Sequence, residues 1–236
     1  MRVLVANPNA TESVTDLCIA LARAAASPGV EISGWTNREG PPLVDSWYAD
    51  YFAGRPLLTG LRAVTSAPDA VVLAGFGNYG TAAVKEALDV PVVAMAEAAM
   101  AMAVPLCHRF AIVTTTPRMV AYTEELVSAL GFRERCAAVS AVTMPPLGVS
   151  AREDALLMEL ATEVDRLRVL SRADLVVLGG SRLSPFADAL RKLTPLTVLE
   201  PVACAVQLAE SLVRLGLTQS KSGKYAPPPQ PFESYD

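Results

Sequence analysis

The chain has one histidine, His108, in 236 residues, and its four cysteines (Cys18, Cys107, Cys136 and Cys204) show neither a CxxC pair nor ligand spacing. No metal site is expected, and the cysteines read as small buried core residues. A Ser-His-Asp triad would have to recruit His108, which precedes a strand-like run beside Arg109. With a net charge of -4 and no Lys/Arg cluster, the chain lacks the electrostatic footprint of a nucleic-acid or anionic-membrane binder. No apolar run approaches the roughly 18 to 20 residues needed to cross a bilayer. Met1-Arg2 leads straight into a strand-like run rather than a signal peptide, so a soluble cytoplasmic protein with free thiols is expected. Small molecules and other protein chains are its expected partners, and a homo-oligomer is expected. Aromatics make up only 6% of the chain, yet four fall in Trp47-Tyr48-Ala-Asp-Tyr51-Phe52. The spacing suggests a helix face packed on a sheet, with a lid or an oligomer contact as the alternative.

What the chain has in quantity is apolar residues, at 52%, and a stretch that occurs twice. Ser66-Ala-Pro-Asp-Ala-Val-Val-Leu-Ala-Gly75 and Ser171-Arg-Ala-Asp-Leu-Val-Val-Leu-Gly-Gly180 share Ser, Asp, Val-Val-Leu and the closing Gly in one register. Each reads as a buried parallel strand whose carboxyl end opens into a loop, which is where α/β folds place their chemistry. Each is followed by a helical segment, a Pro-led apolar run and an Ala-rich helix. The expected fold is therefore α/β, with two pseudo-symmetric lobes, each a parallel sheet flanked by helices, and an active site in the cleft between them. The division expected is residues 1–104 plus 205–236 for the first lobe and 105–204 for the second.

Strands are expected at Arg2 to Ala6, Val30 to Thr36, Arg109 to Thr114 and Cys136 to Met144. Helices are expected from an N-cap at Thr11 to Ala26, from Arg152 to Leu170, and from Glu200-Pro201 to about Leu215. Pro145 to Ser150 reads as a loop, and Lys221 to Asp236 as an extended arm over a neighbouring surface. Four strand ends should converge on the cleft. They carry Asn7 and Asn9; Gly75, Phe76, Gly77, Asn78 and Gly80; Thr114, Thr115 and Thr116; and Gly180 with Arg182. The glycines let the backbone approach a ligand, and backbone N–H groups and threonine hydroxyls can hold an anionic oxygen. Gly75 to Gly80 matches the dinucleotide GxGxxG by letter, but it lies at the third strand with no well-placed acidic ribose partner, so that reading is set aside.

These residues resemble the hydantoin racemase family within the aspartate/glutamate racemase superfamily. The resemblance rests on Asn7-Pro-Asn9, the Phe76-Gly77 loop, Val92 to Ala99, Phe110 to Thr115, Leu178-Gly179 and Leu215 to Lys221 before a Tyr-Ala-Pro-Pro arm. It implies the same two-lobed fold, no cofactor, and two cysteines facing opposite sides of a substrate carbon. The positions matching those cysteines are Gly75 and Gly180 here, and neither can carry a proton. The superfamily's arylmalonate decarboxylases likewise have glycine at the first position but keep the second cysteine. Candidate replacement acids and bases are Tyr79, Ser181, Tyr122 and Glu97. Three functions stay open. One is a cofactor-independent enzyme on a small carbonyl, carboxylate or cyclic amide that stabilises an enolate or oxyanion without thiols, as a lyase, hydrolase, cyclase or isomerase. The others are a racemase with substitute acids and bases, and an inactive small-molecule binder. Cysteines restored at both glycines are expected to flank a bound carbon, with backbone strain as the main obstacle.

Overall fold

The computed structural model describes residues 1–147 and 153–230. Within them, strands β1 (Arg2–Asn7), β2 (Glu31–Thr36), β3 (Ala70–Leu73) and β4 (Val92–Ala94) form one sheet in the order β2-β1-β3-β4. Strands β5 (Phe110–Thr114), β6 (Cys136–Ala141), β7 (Leu175–Gly179) and β8 (Thr197–Leu199) repeat the arrangement as β6-β5-β7-β8. All pairings are parallel. Parallel neighbours need crossover connections, and α1 (Glu12–Ala25), α2 (Trp47–Arg62), α3 (Thr81–Ala87), α4 (Met95–Ala103), α5 (Arg118–Ala129), α6 (Glu153–Ser171), α7 (Ala187–Leu190) and α8 (Pro201–Arg214) supply or flank them. A 3-10 helix, Ser181–Phe186, leaves β7. The repeated stretch becomes β3 and β7, which hold the same place in the two sheets.

Strand alternation sends successive side chains to opposite faces, and here both faces are apolar. Val3, Val5, Val72 and Val93 of the first sheet join Phe110, Ile112, Leu175 and Val177 of the second in one buried cluster with residues of α1, α4 and α8. The intervening residues face outward. Leu4, Ala6, Val71 and Leu73 pack under Ala53, Leu57 and Leu61 of α2, and Ala111, Val113, Val176 and Leu178 under Leu156, Leu160 and Val164 of α6. One continuous core thus lies between the two sheets. Helix α8 leaves the second sheet but packs on α1, α4, β3 and β4. Its start is fixed by Glu200, which accepts from Val202 N (2.8 Å) and Ala203 N (2.7 Å), with Pro201 at the first helical position. Beyond it, Lys221 donates to the carbonyls of Lys85, Glu86 and Leu88 at the end of α3, each at 2.8 Å.

Several expectations need correction. The aromatics of α2 do not face the sheet: Tyr48 is 76% and Tyr51 80% exposed, because the buried stripe is Ala49, Ala53, Leu57 and Leu61. The Thr11 side chain does not cap α1; its hydroxyl donates to Pro42 O (2.7 Å). Strand β6 stops at Ala141, short of Met144. Arg152, the end of the 145–150 loop and residues 231–236 of the arm lie outside the described residues. Among those described, no helix is long and apolar enough to cross a membrane.

Candidate active site

The carboxyl ends of β1, β3, β5 and β7 border one cleft between the lobes. It is lined by Pro8 and Asn9; Ala74, Gly75, Phe76 and Tyr79; Thr114 and Thr115; and Gly179, Gly180, Ser181 and Arg182. Val14, Leu43, Val44, Met95 and Met119 complete it. The empty space measures about 530 Å³ including the open mouth.

On the first-lobe side the loop after β3 turns sharply. Tyr79 and Gly80 take positive φ values of 45° and 72°, a conformation that costs a non-glycine residue and must be held by its surroundings. Asp50 of α2 does this by accepting from Tyr79 N at 2.7 Å, and Tyr122 Oη accepts from Asn78 N at 2.8 Å. The turn folds the Tyr79 ring back over Gly75 and Gly77. A β-carbon on Gly75 would lie 2.6 Å from Pro8 Cγ, 2.8 Å from Tyr79 Cζ and closer still to Tyr79 Cε2. One on Gly77 would lie 2.6 Å from the Tyr79 hydroxyl and 2.7 Å from that of Tyr122. Two phenols and a carboxyl, Tyr79, Tyr122 and Asp50, therefore cluster behind the glycines. Burial pushes the Tyr79 hydroxyl well above the ordinary tyrosine range, with Tyr122 and Asp50 adding to the effect. Burial likewise raises Tyr122, against the opposing hydrogen bond from Asn78. Asp50 is raised by burial too, opposed by its bonds to the Tyr79 amide and the Tyr122 hydroxyl.

The second-lobe side is more open. Gly180 has an extended backbone with φ at 161°, and a β-carbon there would meet only Thr115 Cγ2, at 3.0 Å. Ser181 is buried and hydrogen-bonds the Cys18 thiol, which burial pushes up to about 11. A buried, strongly protonated thiol of this kind is inert.

The expected site residues therefore divide. Asn9, Gly75, Phe76, Tyr79, Thr114, Thr115, Gly180, Ser181 and Arg182 line the cleft, and Asn7, Gly77, Asn78, Gly80, Thr116, Tyr122 and Glu97 do not. Asn7 is fully buried and spends its side chain on the turn, donating to Asn9 Oδ1, Thr11 O and Thr15 Oγ1 and accepting from Asn9 N. Gly77, Asn78 and Glu97 border a separate depression with Lys85 and Tyr225, where Glu97 is paired with Lys85 at 2.5 Å. The amides of Asn78 and Tyr79, expected to face a ligand, are taken by Tyr122 and Asp50. Thr114 Oγ1 donates to Gly179 O (3.2 Å). His108 lies at the amino end of β5, exposed and remote from Ser181, so no triad forms. Asp50 went unrecognised in the sequence because it lies in α2, far along the chain from every strand end; the aromatic segment around it was the available signal.

The Asp/Glu/Hydantoin racemase family matches residues 3–209. This chain belongs to that family. It is 34% identical over 233 residues to the hydantoin racemase of Paenarthrobacter aurescens, covering 97% of this chain and 98% of that one. Among solved structures, the allantoin racemase of Pseudomonas fluorescens superposes with a TM-score of 0.94 at 35% identity, covering 98% of both chains. The allantoin racemase of Klebsiella pneumoniae gives 0.91 at 34% identity, covering 98% of this chain and 95% of that one. The two-lobed α/β fold is thus the racemase family's fold. An isomerase-type enzyme is accordingly better supported for this family member than a lyase.

Proposed function

We propose that this protein is a cofactor-independent racemase-type enzyme acting on a small cyclic amide of the hydantoin kind, with hydroxyl groups in place of thiols. The observation that carries this reading is the Tyr79 ring, which fills the space of the β-carbon missing from Gly75 and borders the same cleft as Gly180 and Ser181. Inverting a carbon needs one group to remove its proton from one face and another to return a proton from the other. Tyr79 from the first lobe and Ser181 from the second are the hydroxyls available on the two sides. The enolate oxygen formed between these steps needs donors aimed at it, each worth roughly 3 to 4 kcal/mol when well placed. The Asn9 side-chain nitrogen Nδ2, which has no protein partner among the described residues, and the Thr115 hydroxyl are suited to that role. Because burial holds Tyr79 protonated, it removes a proton only as the phenolate formed in alkali. It then loses that proton to solvent, and Ser181, having given its own proton to the opposite face, takes one back from solvent, so turnover by this route rises with pH.

That neutrality favours one second reading, a lyase. A carbanion made by loss of carbon dioxide needs only a donor, and a neutral Tyr79 is one. A single enantiomer of a 5-substituted hydantoin, followed in deuterated water by NMR and polarimetry, separates the readings. Deuterium at the α-carbon with loss of rotation supports the racemase. Carbon dioxide release from a carboxylated analogue, without exchange on the hydantoin, supports the lyase. Binding without either reaction would leave a small-molecule binder and end both.

A further inference from the structure

Arg182 is the one charged residue among those described that line the cleft. It stands on the 3-10 helix two residues after Gly180, partly buried beside Ser181. One of its Nη2 protons goes to Pro145 O at 2.5 Å, and no carboxylate among the described residues bonds it. A guanidinium has five donors in a planar fork, so most of this one is unspent. Other sheltered charges are better provided for: Lys85 is paired with Glu97 and Glu210 with Arg214, each at 2.5 Å, and the buried Glu200 accepts from Ser184 Oγ and two backbone N–H groups. Withdrawing a cation from water without a partner is costly. A guanidinium without an anionic partner at the wall of a cleft otherwise lined by apolar and neutral polar groups is free to take an anion arriving with a ligand.

We propose that Arg182 receives a carboxylate of the substrate, which makes the substrate class anionic: a molecule with a carboxylate in addition to the carbonyl at which the enolate forms. This rests on the reading above that the cleft is the active site, and it narrows the cyclic amides to acidic ones. A carboxylate would take two parallel N–H bonds from the fork, with Ser181 and Thr115 beside it, an arrangement in which lysine is a poor substitute.

The test is calorimetric binding of hydantoin-5-acetate, its neutral carboxamide and, as an acyclic arm, succinate, to wild type, Arg182→Gln and Arg182→Lys. Thermal melts confirm that each variant is folded. Wild type is expected to prefer the carboxylate ring over the carboxamide by about 10- to 100-fold. Arg182→Gln should erase that preference by weakening carboxylate binding far more than carboxamide binding, and Arg182→Lys should retain part of it. Equal binding of the two rings by wild type, or a preference unchanged in Arg182→Gln, overturns the anion site while leaving the hydantoin reading intact. Binding of succinate that depends on Arg182, with neither ring bound, upholds the anion site and overturns the hydantoin reading. Failure of every carboxylate to bind overturns the inference.

Discussion

The ring of Tyr79 occupies the space that a β-carbon on Gly75 would need, 2.8 Å from its Cζ and closer to its Cε2. The two positions are therefore coupled: a side chain at 75 requires a smaller one at 79. Gly75→Cys alone is expected to cost about 1 to 3 kcal/mol through overpacking. Combined with Tyr79→Ala, it should cost less than the sum of the two single changes, as read by urea denaturation of all three variants. Strict additivity would show that the ring simply moves aside.

Gly180→Cys should behave differently. The backbone there is extended rather than left-handed, and a β-carbon would press only on the Thr115 methyl. A change of under about 1 kcal/mol is expected. The obstacle to a thiol pair is thus packing at one glycine, not backbone strain at both.

If Tyr79 carries the proton, Tyr79→Phe keeps the ring over Gly75 and removes only the hydroxyl. Exchange at the substrate α-carbon should fall by about 10²- to 10⁴-fold with little change in ligand affinity. Undiminished exchange in a folded Tyr79→Phe protein would exclude the phenol as proton carrier.

Asp50 offers a pH test. Its carboxyl is raised above the ordinary value of 3.8, chiefly by burial, so the folded chain holds the proton more tightly than the unfolded chain. The resulting stability is full below the ordinary carboxylate value and is lost as pH rises through the raised one. Asp50→Asn keeps an acceptor for the Tyr79 amide and has nothing to titrate. As pH rises above about 4 wild type should lose stability relative to Asp50→Asn, as followed by denaturation at several pH values.

Thiol reagents should leave activity intact. Cys18, Cys136 and Cys204 are buried, with burial raising them to about 11, 11 and 12. Cys107 is the accessible one, just ahead of the amino end of β5 and away from the strand ends that border the cleft. Inactivation by one equivalent, with ligand protecting, would count against hydroxyl chemistry.

The internal repeat made the architecture legible, because Val-Val-Leu runs entered from Asp and left through Gly can be buried on both faces only in a covered parallel sheet. The cleft followed, since strand ends are fixed once the strands are. What the sequence could not show was which polar groups at those ends are already spent. Asn7, Asn78 and the Tyr79 amide lie at the expected loops, yet their hydrogen bonds close on Thr15, Tyr122 and Asp50, partners 8 to 44 residues away. Glu97 is a related case: it opens the helix after β4, but it pairs with Lys85 and borders the separate depression with Gly77 and Asn78. The α2 aromatics were misjudged because alanines and leucines on the same helix win the buried face.

The continuous core between the two sheets also restricts how a ligand can enter. Val3, Val5 and Val72 share one packed cluster with Ile112, Leu175 and Val177, so parting the lobes about a hinge would expose that cluster to water at about 25 cal/mol for each Å² opened. The spine of the molecule is therefore closed, and passage falls to the rim. There, Leu43 and Val44 border the cleft from an irregular segment between β2 and α2 that has no part in the cluster shared by the two sheets.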